Sequence, residues 1–160
     1  MTLNDFRTFY EREHATTRKV LQAFPAARAD FRPHERSSTA LQLGAIFVAE
    51  EQMISRALRS EPVLGSGARP APTSWQEVLD GFDAVHQDVM QALASATEAE
   101  LKPVAFYVAP KTPGEFPPLD FVFFMMCDQI HHRGQLSVYL RMVDGRVPSI
   151  YGPSADEPWL

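Results

Sequence analysis

Residues 119–152 read LDFVFFMMCDQIHHRGQLSVYLRMVDGRVPSIYG, and they carry the longest helical signal in the chain. Phe121, Met125, Asp128, His132, Gln135 and Tyr139 recur at spacings of three and four, which predicts one face of a helix. That face starts apolar and carries a carboxylate and an imidazole in its middle. Asp128 and His132 stand four apart, one above the other, close enough to share an ion or a proton. A charged group on a core-facing stripe costs several kcal/mol unless it is paired or holds a metal. Asp144-Gly145 ends the helix, with Gly expected in the left-handed cap and Pro148 blocking re-entry.

Working outward, three further helices are expected. Leu3, Phe6, Tyr10, Thr17, Leu21 and Phe24 form the stripe of the first, capped by Thr2 or Asn4 and stopped by Pro25. His14 lies near the edge of that stripe and reads as a partly buried surface residue. After the connector 26–38, Ser37, Ser38 or Thr39 caps a second helix that runs to about Ser60. Glu50 interrupts its apolar stripe, and a buried carboxylate needs a cation, for which an arginine on a neighbouring helix is the plain candidate. Glu51 reads as solvent-facing. Residues 61–72, EPVLGSGARPAP, form a long crossover. A third helix, capped by Thr73 or Ser74, then runs from Trp75 to about Ala96, with Glu77 at the capping-box position relative to Ser74 and His86 turned inward or along an interhelical seam on a single hydrogen bond. Val104 to Val108 could form a short extended piece, but the four prolines that follow make residues 102–118 a structured loop rather than a sheet.

Four amphipathic helices with one long crossover between helices two and three predict an all-α four-helix bundle, a single domain over residues 1–160. The composition, 45% apolar and 22% charged, is that of a soluble globular domain. A net charge of −5 with no run of basic residues argues against nucleic acid. The single cysteine, Cys127, excludes an intramolecular disulfide and suits a reducing cytoplasm. On this apolar helix it reads as an inert core thiol. The charged N-terminus carries no signal-peptide pattern, and the apolar run 121–127 is too short to cross a bilayer.

The run His131-His132-Arg133-Gly134-Gln135, followed by Tyr139-Leu140-Arg141, Gly145, Pro148 and Ile150-Tyr151-Gly152, resembles the signature of the DinB/YfiT-like superfamily of metalloenzymes. The first helix, the Phe31-Arg32-Pro33 connector and the four-helix layout are similar too. The resemblance implies a four-helix bundle with a long connection between helices two and three, often a homodimer. It also implies a divalent metal such as zinc or nickel held by three histidines, one on the second helix and an H-x-x-x-H pair on the fourth. Some such proteins are thiol-dependent transferases or isomerases acting on small-molecule substrates with a low-molecular-weight thiol. The family name refers to DNA damage-inducible genes, yet nothing in this composition favours contact with DNA.

Carried over residue by residue, the second histidine of the pair corresponds to His132, the first to Asp128, and the second-helix histidine to Ile46 or a neighbour. Two of three ligands are therefore replaced. Asp128, His132 and Glu50, one turn beyond Ile46, remain a candidate set for a harder ion such as Mn²⁺, Fe²⁺ or Zn²⁺. Two metal-free readings stand beside it: a binding or proton-transfer site in which Asp128 orients His132, or a structural pair bonded to Arg133 or Arg141. Arg133 suits an anionic group, Gln135 a hydrogen bond to His132 or to substrate, and His131 faces another helix or solvent. The leading expectation is a metal-dependent enzyme, a thiol-dependent transferase or a hydrolase. The alternative is a metal-free small-molecule-binding or stress-response protein on the same scaffold.

Overall fold

A computed structural model describes residues 2–64, 69–109 and 111–160, without the side chain of residue 108. The order is α1 (Leu3–Ala23), a short 3-10 turn (Ala26–Arg28), α2 (Ala40–Leu58), α3 (Trp75–Ser95), β1 (Val104–Ala109), β2 (Thr112–Phe116) and α4 (Pro118–Met142). The first three helices begin on side-chain caps. Thr2 with Asp5, and Thr39 with Gln42, form reciprocal capping boxes, while Ser74 accepts from the Glu77 amide. Each cap satisfies amides that the helix itself leaves unbonded. The expected long crossover is the stretch between α2 and α3, whose residues 65–68 lie outside the described set.

The bundle closes around Phe6, Tyr10, Phe47, Phe82, Phe121, Met126 and Leu136, all at 2% exposure or less. Packing between α2 and α3 is close because Gly44 has no side chain. A Cβ there would stand 3.0 Å from both Trp75 and Val78. Trp75 also donates its indole N–H to the Leu21 carbonyl at the end of α1, a second bond to an oxygen that accepts from the Phe24 amide, and so ties α3 to α1.

Two expectations are corrected here. Val104–Ala109 and Thr112–Phe116 pair as two antiparallel strands, Val104 opposite Phe116 and Phe106 opposite Gly114. Both strands are edges, so Pro113 is tolerated, and Phe106 and Phe116 gain burial by packing on Phe121 of α4. The left-handed residue after α4 is Asp144 (φ 59°), not Gly145. The amides of Asp144 and Gly145 bond back to the Arg141 and Leu140 carbonyls, so Gly145 occupies the position one residue beyond the turn.

The buried face of α4 is Val122, Met126, Gln129, Arg133, Leu136 and Leu140, one residue out of phase with part of the expected stripe. Phe121, Met125 and Tyr139 are buried as expected, but Asp128 and His132 lie at the edge and Gln135 is exposed. Cys127 is exposed as well, which corrects its reading as a core thiol. Phe124, Val138 and Met142 are exposed on the outer side of the same helix. Among the described residues, no helix is long and apolar enough to cross a membrane.

Candidate metal centre

Helix α2 supplies Glu50 and α4 supplies Asp128 and His132. One donor atom from each lies within 4.8 Å of the others, the only such group of three among the described residues. Glu50 Oε1 stands 3.0 Å from His132 Nδ1, and Asp128 Oδ1 stands 4.0 Å from His132 Nε2. The expected arginine partner for Glu50 is thus replaced by His132. Burial pushes the Glu50 carboxyl up to about 7, against the opposing pull of the His132 hydrogen bond. The His132 imidazole is shifted upward, chiefly by its bond to Glu50.

The residues fit a cation. Glu50 is 4% exposed, and its second oxygen, Oε2, has no hydrogen-bond partner. A buried carboxylate oxygen without a donor costs more than most single interactions contribute, and a metal bond supplies what is missing. Two carboxylates and an imidazole are donors suited to a borderline or hard divalent ion. Donors on a tetrahedral ion with bonds of about 2.1 Å stand roughly 3.4 Å apart, so closing on one requires side-chain movements of about an ångström. Ile46 borders a cleft beside His132.

The neighbours of the trio separate. Arg133 turns away into the core: its guanidinium bonds Glu13 Oε2 at 2.9 Å, Thr17 at 3.2 Å and the Tyr151 hydroxyl at 2.6 Å. It anchors an anion as its chemistry suggests, but that anion is Glu13 of the same chain. Gln135 bonds His131, not His132, at 2.9 Å, and His131 is exposed.

A second polar cluster escaped the sequence reading. Glu51 has no exposed surface, contrary to its solvent-facing assignment. Tyr10 donates to Glu51 Oε2 at 2.5 Å and meets His86 Nδ1 at 3.0 Å, while His14 Nδ1 stands 3.4 Å from Glu51 Oε1. The His14 and His86 rings stack with centroids 3.7 Å apart. Burial, and then the Glu51 charge, push the Tyr10 hydroxyl well above its ordinary range. His14 is only 5% exposed, so it belongs to the interior rather than the surface. Consecutive acids, Glu50 and Glu51, were the available signal: two carboxylates 100° apart on a helix packed on several sides cannot both reach water.

Fold and site together define a four-helix bundle with a possible metal-binding triad at the α2–α4 seam. The chain belongs to the DinB superfamily, whose family model matches residues 10–136. It is similar to YrdA of Bacillus subtilis (strain 168), an uncharacterized protein, at 32% identity over 89 residues, 55% of this chain. That match spans 51% of the relative's length. Two solved DinB-like proteins share the fold. The one from Bacillus cereus ATCC 10987 aligns with a TM-score of 0.71 and 22% identity, covering 94% of this chain and 98% of its own. YjoA from Bacillus subtilis aligns with a TM-score of 0.67 and 14% identity, covering 85% and 90%.

Proposed function

We propose that this protein is a divalent-metal-dependent enzyme whose ligands are Glu50, Asp128 and His132, and that it hydrolyses a small-molecule substrate. The observation that carries this reading is the buried, unpartnered Oε2 of Glu50 beside an imidazole and a second carboxylate. A divalent ion held by these three residues would supply Lewis acidity that makes water a nucleophile at neutral pH. Glu50, held between α2 and α4, fixes one side of the site and orients His132 through Nδ1. Asp128 has a side chain 41% exposed, so its side of the trio is open to solvent. Hydrolysis is preferred to thiol transfer because an oxygen-rich donor set favours water over thiolate at the remaining position.

Metal content of purified, tag-free protein, measured by mass spectrometry beside Glu50→Gln, Asp128→Ala and His132→Ala, tests the reading. Near-stoichiometric metal in the parent and its loss from the variants is expected. No metal after incubation with Zn²⁺, Ni²⁺, Mn²⁺ and Fe²⁺ would leave the metal-free binding protein as the function of this scaffold.

A further inference from the structure

Beside His132 a cleft of about 440 Å³ opens between the 26–38 connector and the α2–α4 seam, a volume in the range of small-molecule sites. Its apolar lining comes from Pro33, Leu43, Ile46 and the ring of Tyr139. Its polar residues are Ser37, Ser38 and Gln135, beside His132. No lysine, arginine, aspartate or glutamate lines it. Arg32 and Arg36 belong to the same connector but are not among the lining residues.

Charge then decides what fits. A divalent ion held by Glu50, Asp128 and neutral His132 has no net charge, so the metal offers an anion no surplus attraction. An anionic group entering the cleft would shed water and meet only the His132 imidazole, whose charge Glu50 and Asp128 already offset. The chain's net charge of −5 opposes its approach as well. Hydroxyls and an amide, by contrast, match a carbonyl or amide group, and the apolar lining matches a hydrocarbon or aromatic body.

We infer that the substrate is an uncharged amide or ester with an apolar body, held by Ser38 and Gln135 against Ile46 and Tyr139. This rests on the metal-site reading for its chemistry, though the binding preference belongs to the cleft itself. The bond broken is the acyl C–N or C–O bond. Water adds its oxygen to the carbonyl carbon, and its two protons end on the leaving amine or alcohol and the acid.

The test uses benzamide and benzoate, which share shape and differ in charge, titrated into metal-free and Mn²⁺-loaded protein. Amide shifts in ¹H–¹⁵N spectra report binding in the metal-free form, and manganese stoichiometry is measured separately. Benzamide is expected to shift the amides of Ser38, Ile46 and Gln135 and to bind at least about tenfold more tightly than benzoate, a difference of about 1.4 kcal/mol. Ile46→Trp should abolish those shifts, and Gln135→Arg should raise benzoate affinity by about tenfold, with folding of both variants verified by the rest of the spectrum. Benzoate binding as tightly as benzamide, no shift with either probe at millimolar concentration, or shifts unchanged in Ile46→Trp would each overturn the inference. Binding that follows the expectation in a protein that takes up no manganese would sink the metal reading and leave the cleft's selectivity standing.

Discussion

Arg133 of α4 donates from Nη2 to Glu13 Oε2 of α1 across 2.9 Å, and neither side chain is more than 1% exposed. The Tyr151 hydroxyl joins both, donating to Glu13 at 2.5 Å, and its ring lies 4.9 Å from the Arg133 guanidinium. The pair thus joins the first helix, the last helix and the C-terminal tail at one buried point. Removing one partner strands a charge, whereas removing both does not. Arg133→Met is therefore expected to cost roughly 3–5 kcal/mol in urea unfolding. Arg133→Met combined with Glu13→Leu should recover most of that loss, and a double variant as unstable as the single one would contradict this account.

Two groups, the buried Glu13 and the half-buried His86, lower stability in acid. Burial works to raise the Glu13 carboxyl, but hydrogen bonds from Tyr151 and Arg133 outweigh it and hold the pKa below the ordinary value. Its contribution is present above the unfolded carboxylate pKa and is lost as pH falls through the folded one. Burial, then the neighbouring His14, depress His86, whereas Glu51, Asp83 and Glu11 pull it back up. The unfolded chain therefore binds a proton at this site more readily, and stability falls as pH drops through about 6.5. The urea midpoint should decline below about pH 4.5, a step that Glu13→Gln should flatten; between about pH 7 and 5 proton uptake by Glu50, raised to about 7, opposes the His86 loss, so Glu50→Leu should expose that loss as a decline of its own.

Glu50→Leu separates stability from metal binding. Without metal, it removes a buried carboxylate whose Oε2 lacks a partner, and a gain of about 1–3 kcal/mol is expected. With Zn²⁺ or Mn²⁺ at a hundred times the dissociation constant, the parent should gain about 2.7 kcal/mol and the variant nothing. Thermal melts of both proteins with metal and with chelator measure this directly. A parent whose melting temperature ignores metal would remove the basis for the assignment.

The end of α4 provides a local test. Asp144 sits at φ 59°, where a side chain is disfavoured, so Asp144→Gly should stabilise by about 1 kcal/mol. Gly145→Ala should do the opposite, because its Cβ would fall 2.2 Å from a Leu140 methyl and 3.0 Å from the Leu140 carbonyl oxygen. Thermal denaturation of the two single variants gives both signs.

Gln129 has no exposed surface, and neither atom of its amide finds a partner within the chain. Gln129→Met keeps the length and removes both unmet groups, so a gain of roughly 1–3 kcal/mol is expected in urea unfolding. A loss of similar size would show that ordered water satisfies the amide.

Helical period, caps and breakers settled the secondary structure of the bundle from the sequence alone, because these act within a few residues. Thr2, Thr39 and Ser74 were among the candidate caps, and Pro25 ends α1 as read. Glu50, Asp128 and His132 could be named because a polar residue on an apolar stripe is visible without coordinates. What lies opposite each stripe is decided by how helices rotate against one another, and no local pattern encodes that rotation. The sequence therefore could not say that Glu50 meets His132 while Glu51 meets Tyr10 and His14, or that Arg133 turns to Glu13 120 residues away. The strand pair was missed for the same reason: Val104–Ala109 and Thr112–Phe116 bury little by themselves, and the packing of Phe106 and Phe116 on Phe121 is what makes them strands.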